Sequence, residues 1–120
     1  MAKIKILVID DEKDQRKAII RFLSKGRDYE FFEAADDKAG IRTFVIHRPD
    51  IVIVDLHLSE ARGEELARFI KRDSQAKTKV ICLSGNPDLE MVARAAGCDI
   101  FLKKPFHLLT LQEAVELLLK

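Results

Sequence analysis

Four apolar, β-rich runs of this sequence each end on side chains that can do chemistry. These side chains are Asp10 with Asp11, Asp55, Ser84, and Lys103 with Lys104. In a parallel sheet, such strand ends lie along one edge, which is where open α/β sheets place their functional crevice. We therefore expect carboxylates, a hydroxyl and an ammonium group to meet there.

Carboxylates crowded at such an edge repel one another, and a divalent cation relieves the repulsion. Oxygen ligands favour Mg²⁺, which binds one or two carboxylates and keeps several waters; Mn²⁺ can substitute for it. A carboxylate beside the cation can attack a phosphoryl group and form an acyl phosphate. Asp55 suits the role of nucleophile, and Ser84 and Lys104 suit contacts to the phosphoryl oxygens.

The elements that must position these residues alternate along the chain. The segments with the composition of strands are residues 4–9, 29–35, 51–54, 79–83 and 100–102. After each of them, apolar residues at helical spacing predict a helix, the first over residues 13–25. The alternation and the short connections predict one α/β domain over residues 1–120, a doubly wound five-stranded parallel sheet flanked by five helices.

Finer expectations concern the core-facing and capping residues of the helices. The residues expected to face the core include Val45, Met91 and Val92. The residues expected to cap helix starts are Asp36 or Asp37, and Thr110 with Glu113.

Composition and motifs exclude several function classes. With 21 Lys+Arg against 20 Asp+Glu, the net charge of +1 provides no global field for nucleic acid or for an acidic membrane. Cys82 and Cys98 form no CxxC motif, and the histidines lack the spacing of zinc ligands. No nucleotide-binding glycine fingerprint occurs, and no apolar run approaches the ~20 residues that span a bilayer. We expect a cytoplasmic protein that itself binds neither nucleic acid nor membrane.

Five features together resemble the receiver domain of response regulators in two-component signalling, as found in chemotaxis regulators. They are the strand ending at Asp10-Asp11, the strand ending at Asp55, the eight-residue step from Asp55 to Gly63, the strand ending at Ser84-Gly85, and the run Phe101-Leu102-Lys103-Lys104-Pro105-Phe106. The resemblance covers essentially the whole chain. It implies a flavodoxin-like fold with strand order 2-1-3-4-5.

The resemblance also implies a metal-dependent phosphoryl acceptor. Asp55 would receive the phosphoryl group from a histidine of a sensor kinase or a phosphotransfer protein. Asp11 and Asp55 would ligate Mg²⁺ together with the backbone carbonyl of His57, and Asp10 would act mainly through a bound water.

A switch around the acceptor is implied in the same way. Lys104 and Ser84 would contact the phosphoryl group, and Phe101 would change rotamer together with Ser84. The Lys104-Pro105 peptide would be cis. The change would reach the face of the fourth helix, fifth strand and fifth helix, where a downstream protein, an output domain or a second copy of the chain would bind.

Three positions near the acceptor modify this expectation. Ser59 stands where the family often has proline, so its φ angle is less restricted. His57 and Asn86 occupy positions that in the family influence how fast the acyl phosphate hydrolyses.

Two other hypotheses about the function remain. One is a degenerate receiver that binds partners without being phosphorylated. The other is an aspartate-nucleophile phosphatase, but such enzymes usually need a second acid two residues after the nucleophile, where this chain has His57. We expect no external turnover substrate.

Overall fold

A computed structural model describes residues 2–58 and 61–120 of the chain. Its strands are β1 (Ile4–Ile9), β2 (Tyr29–Ala34), β3 (Ile51–Asp55), β4 (His57–Leu58), β5 (Ala61–Arg62), β6 (Lys79–Ser84) and β7 (Ile100–Lys103). Its helices are α1 (Lys13–Leu23), α2 (Asp37–His47), α3 (Gly63–Asp73), α4 (Leu89–Ala95) and α5 (Leu108–Leu118).

Five of the strands form one parallel sheet in the order β2-β1-β3-β6-β7. The two-residue strands β4 and β5 pair only with each other, antiparallel, outside this sheet. Without them, the order is the predicted 2-1-3-4-5, and the predicted flavodoxin-like class is confirmed. All five carboxyl ends therefore lie at the same edge.

The sheet is covered on both faces, which explains why its central strands are uninterrupted apolar runs. Alternate residues of each strand point to opposite faces. One face carries Leu7, Val52 and Cys82 against a core that includes buried residues of α2, α3 and α4. The other face carries Val8 and Ile53, together with buried residues of α1 and α5. Residues 51–55 are all buried, so Asp55 ends a strand that is almost fully shielded from solvent.

Two of the finer predictions about helix starts have different outcomes. The predicted cap of α2 is confirmed, because the Asp36 side chain accepts a hydrogen bond of 2.8 Å from the backbone N–H of Ala39. The predicted capping box at Thr110 and Glu113 is wrong. The residue before α5 is His107, so both lie inside the helix.

The predictions that Val45, Met91 and Val92 face the core are wrong. Val45 is 46% exposed, whereas the adjacent Phe44 is fully buried. On α4, Met91 is 83% exposed and Val92 is 41% exposed. This short helix instead packs through Ala93, because a small side chain lets the helix lie close to the sheet.

Among the residues that the structure describes, no helix is both long and apolar enough to cross a bilayer.

Candidate functional site

Three aspartates meet where β1 and β3 end. Asp10 and Asp11 follow β1, Asp55 is the last residue of β3, and oxygen atoms of the three carboxylates lie within 4.8 Å of one another. Asp10 and Asp55 are 1% and 3% exposed, while Asp11 is exposed. Parallel pairing of β1 with β3 brings the strand ends together. We call these three residues the acidic cluster.

Both oxygens of the Asp55 carboxylate have partners. Oδ2 accepts a hydrogen bond of 2.6 Å from the Lys104 ammonium, and Oδ1 accepts one of 2.8 Å from the backbone N–H of His57. The backbone N–H of Lys104 donates to the carbonyl of Ser84 at 2.8 Å, which anchors the lysine to the end of β6. Asp55 is therefore held in one orientation by two groups, the Lys104 ammonium and the His57 N–H.

Asp10 is less well satisfied. Its Oδ1 accepts a hydrogen bond of 2.8 Å from the backbone N–H of Glu12, but its buried Oδ2 has no partner among the described residues. Burial raises the pKa of Asp10 to about 6; the charges of Asp55 and Asp11 add to the rise, and the Glu12 hydrogen bond and Lys104 oppose it. A buried oxygen without a partner is uncommon and suggests a missing ligand.

The charges of this edge do not balance. Counting only residues that the structure describes, three carboxylates meet one ammonium, that of Lys104, so the formal charge is −3 + 1 = −2 when all are ionised. Oxygen ligands, one unpartnered buried oxygen and a local charge of −2 fit a hard divalent cation. The residues present are thus suited to Mg²⁺.

Arg16 of α1 holds the backbone of the acidic cluster at Asp10. The sequence gave no indication of this role. Its Nη1 donates to the backbone carbonyl of Asp10 at 2.7 Å, and its Nε pairs with Glu33 at 3.0 Å. The Lys17 ammonium lies 2.7 Å from the same carboxylate. Hydrogen bonds from Lys17 and Arg16 hold the pKa of Glu33 below its usual value. No spacing rule indicates this contact, because Glu33 is seventeen residues from Arg16.

Ser84 is fully buried at the end of β6, and its hydroxyl hydrogen-bonds to Asn86 and His57 rather than to the acidic cluster. The Oγ accepts a hydrogen bond of 3.0 Å from the backbone N–H of Asn86 and lies 3.3 Å from the Asn86 carbonyl. It also lies 3.1 Å from Nε2 of the His57 ring. The family resemblance assigned only the backbone carbonyl of His57 to a cation site and gave no sign of this side-chain contact.

Gly63 explains the spacing of eight residues after Asp55. A Cβ at this position would come within 2.5 Å of Leu56 Cα and 2.8 Å of the Asp55 carbonyl oxygen. The Gly63 N–H also donates to the Leu56 carbonyl at 3.3 Å. The chain that carries Asp55 therefore passes so close to the start of α3 that a side chain would not fit.

The remaining predicted residues lie near the same edge. Phe101 is half-buried on β7 and pairs in register with Cys82, two residues before Ser84. The predicted cis peptide between Lys104 and Pro105 is confirmed. Ser59 lies outside the described residues.

Comparison with known proteins identifies this arrangement. The family model for the response regulator receiver domain matches residues 6–116. The chain belongs to this family. Receiver domains of two-component systems are phosphorylation-activated signalling switches.

Other receiver proteins match over nearly the whole chain. The chemotaxis protein CheY of Listeria monocytogenes is 30% identical over 115 residues, which cover 94% of this receiver domain and 96% of CheY. The structure of chemotaxis response regulator CheY4 of Vibrio cholerae superposes with a TM-score of 0.87 at 26% identity, covering 98% of this chain and 99% of that one. A response regulator receiver domain protein of Clostridium thermocellum superposes with a TM-score of 0.84 at 31% identity, covering 95% and 92%.

Several curated relatives are longer than this receiver domain. The match spans 29% of a protein-glutamate methylesterase/protein-glutamine glutaminase of Geobacter sulfurreducens, with 35% identity over 108 residues and 88% of this chain. It spans 51% of the KDP operon transcriptional regulatory protein KdpE of Escherichia coli, with 28% identity over 115 residues and 96% of this chain. The assignment of residues 1–120 to one receiver domain stays a prediction.

Proposed function

We propose that Asp55 accepts a phosphoryl group from a phosphohistidine of a sensor histidine kinase or a phosphotransfer protein, in a reaction that requires Mg²⁺. The observation that carries the proposal is the position of the Asp55 carboxylate, which is buried within the acidic cluster and bonded to Lys104 at 2.6 Å. An ionised carboxylate oriented in this way is a suitable nucleophile.

The transfer makes one bond and breaks one. A carboxylate oxygen of Asp55 attacks phosphorus, the phosphorus–nitrogen bond of the donor breaks, and its electron pair stays on the donor imidazole. The product is an acyl phosphate on Asp55. The Lys104 ammonium, already at the carboxylate, is placed to neutralise a phosphoryl oxygen, and the Ser84 hydroxyl would bind another after it turns toward Asp55.

The cation would be held by Asp11, Asp55 and the backbone carbonyl of His57, with Asp10 acting through a bound water. Bound Mg²⁺ would neutralise charge on the phosphoryl oxygens. The unpartnered oxygen of Asp10 and the charge of −2 support this assignment. The presence of all three acids together with Lys104 counts against a degenerate receiver.

Asp55 is a better acceptor than its neighbours. Within the described part of the chain, the Asp10 carboxylate accepts a hydrogen bond from the backbone N–H of Glu12 but none from an ammonium group. Asp11 is exposed, whereas Asp55 is buried and bonded to Lys104. An ammonium that binds the acceptor before transfer is preorganised for the charge that develops in transfer.

The phosphoryl group would be sensed through Ser84 and Phe101, and the change would reach the face formed by α4, β7 and α5. Exposed apolar side chains on α4, Met91 and Val92, support this face as a place for a downstream protein, an output domain or a second copy of the chain. Relatives such as KdpE, in which the match covers about half the length, support an output domain as one such partner. The domain would act on itself and turn over no external substrate.

The test is phosphorylation by a small-molecule donor, acetyl phosphate, with Mg²⁺ present. We expect the intact mass of the wild type to rise by one phosphoryl group and that of Asp55→Asn to stay unchanged. Asp73→Asn, which alters an exposed aspartate paired with Arg48, is the matched control and should be modified like the wild type. A mass gain that persists in Asp55→Asn would refute the assignment.

A further inference from the structure

The side chain of His57 makes a contact that the transfer reaction does not use. His57 is exposed on β4, yet its Nε2 lies 3.1 Å from the buried Oγ of Ser84. Its backbone N–H binds Oδ1 of Asp55 at 2.8 Å. One residue therefore touches both the proposed acceptor and the hydroxyl that would meet the phosphoryl group.

The one proton of the Ser84 hydroxyl has a partner in this arrangement, whichever of two nearby acceptors it points to. A serine hydroxyl donates one hydrogen bond and accepts two. The backbone N–H of Asn86 donates to the Ser84 Oγ at 3.0 Å. The Asn86 carbonyl at 3.3 Å and His57 Nε2 at 3.1 Å also lie within hydrogen-bond distance of the Oγ. If the hydroxyl proton points to the carbonyl, the ring donates to Oγ; if it points to the ring, Nε2 accepts. With either tautomer, the hydroxyl proton of Ser84 is bonded to Asn86 or to His57 and not to Asp55.

We propose that the His57 imidazole is a positioning residue that holds Ser84 in the unphosphorylated conformation. For Ser84 to reach a phosphoryl group on Asp55, its hydroxyl must leave these partners, and the bond to His57 must break. An interaction present in one state of a two-state equilibrium favours that state by its own free energy. His57 thereby sets how readily the domain switches. The inference rests on the proposed function and adds a residue that controls it.

The location of His57 separates this role from a purely structural one. Its ring lies on the surface and fills no part of either core cluster, so its removal leaves no cavity. Its backbone, which would supply the carbonyl to the cation, is retained when the side chain is replaced. The ring can therefore be changed without removing a proposed ligand.

The experiment measures beryllofluoride affinity in saturating Mg²⁺, since beryllofluoride mimics a phosphoryl group on aspartate. His57→Phe keeps a planar ring without the nitrogen, and we expect it to bind the mimic about two- to tenfold more tightly, the worth of one hydrogen bond. His57→Gln keeps a polar group of similar reach and should stay within about twofold of the wild type.

A double-mutant cycle with Ser84→Ala shows whether the effect acts through the hydroxyl. Ser84→Ala should weaken binding, and adding His57→Phe to it should change nothing further. An equal tightening in both backgrounds, or weaker binding by the His57→Phe single variant, would overturn the proposal that His57 holds Ser84. If the wild type itself fails to bind the mimic, the proposed function is wrong, and so is the role of His57. If the wild type binds the mimic and His57→Phe has no effect, only the role of His57 is wrong.

Discussion

Two lysine–aspartate pairs lie at opposite ends of the same sheet, and their surroundings differ. Lys104 binds Asp55 at 2.6 Å at the carboxyl edge, and Lys71 binds Asp99 at 2.8 Å at the amino edge. The lengths are similar, and in each pair at least one side chain is nearly buried. Their neighbours decide what each pair can do.

The pair at the amino edge is fully satisfied. Lys71 Nζ also donates to the carbonyl of Thr78 at 2.9 Å, and Oδ2 of Asp99 also accepts from the backbone N–H of Val80 at 2.8 Å. One positive and one negative charge cancel, and both groups connect α3, β6 and the start of β7. The Lys71–Asp99 pair therefore has a structural role, the stabilisation of this edge of the sheet.

The pair at the carboxyl edge stands among excess negative charge. Asp10 and Asp11 add two carboxylates within 4.8 Å, and Asp10 Oδ2 has no partner in the described part of the chain. Folding alone leaves this site incomplete, and a cation and a phosphoryl group would complete it. The unbalanced charge around this pair supports the proposal that Asp55, and not Asp99, is the reactive aspartate.

The largest expected effect is a difference in sign between the two aspartates. Without divalent cations at pH 7, Asp99→Asn should lower the free energy of unfolding by about 3 kcal/mol, because Lys71 loses its counter-charge. Asp55→Asn should raise it by about 1 kcal/mol, because one of three repelling carboxylates is neutralised. Urea unfolding measures both values. A loss of similar size in both variants would contradict the comparison.

A smaller effect is expected from pH. The folded-state pKa of Asp10, about 6, lies above its ordinary value of 3.8, so its proton is held more tightly in the folded protein. This contribution to stability is complete below pH 3.8 and is lost as the pH rises through 6. The metal-free wild type should therefore lose on the order of 2 kcal/mol relative to Asp10→Asn between pH 4 and 7. Parallel stability curves for the two proteins would rule this out.

Cation binding should stabilise the carboxyl edge by a comparable but smaller amount. At a Mg²⁺ concentration tenfold above its dissociation constant, the free energy of unfolding should rise by about 1.4 kcal/mol. Asp11→Asn should lose most of this gain, and Asp99→Asn should keep it. Unfolding titrations with and without Mg²⁺ compare the three proteins; an undiminished gain in Asp11→Asn would exclude this residue as a ligand.

The smallest effect concerns the support behind the cluster. Arg16→Met removes the hydrogen bond to the Asp10 carbonyl, and we expect Mg²⁺ affinity to fall by about three- to fivefold as Asp10 loses its fixed position. Lys17→Met is the matched control, because Lys17 pairs with the same Glu33 but has no recorded bond to Asp10. Calorimetric titration distinguishes them, and equal losses would point to Glu33 instead.

The sequence predicted the parts of this molecule that follow from local pattern. Apolar runs identified the strands because a buried parallel strand needs no polar face, and strand ends identified the acidic cluster because parallel strands share an edge. Strand order and the cis peptide came from family resemblance, and both are confirmed.

The parts that failed depend on tertiary contacts. Met91 belongs to an apolar stripe by composition, but α4 has seven residues and packs through Ala93, so Met91 faces outward. The contact of His57 with Ser84 joins residues that are 27 positions apart, and that of Arg16 with Glu33 joins residues 17 apart. No periodicity connects such pairs, so only the folded chain reveals them.

The central claim is that the unbalanced carboxyl edge makes Asp55 the phosphoryl acceptor. Borohydride reduces an aspartyl phosphate to homoserine, so treating the acetyl phosphate-modified wild type and sequencing its peptides by mass spectrometry marks the modified residue. We expect homoserine at position 55, formed when Mg²⁺ is present and absent when Mg²⁺ is removed by chelation. Homoserine at Asp10, Asp11 or Asp99 in place of Asp55 would contradict it.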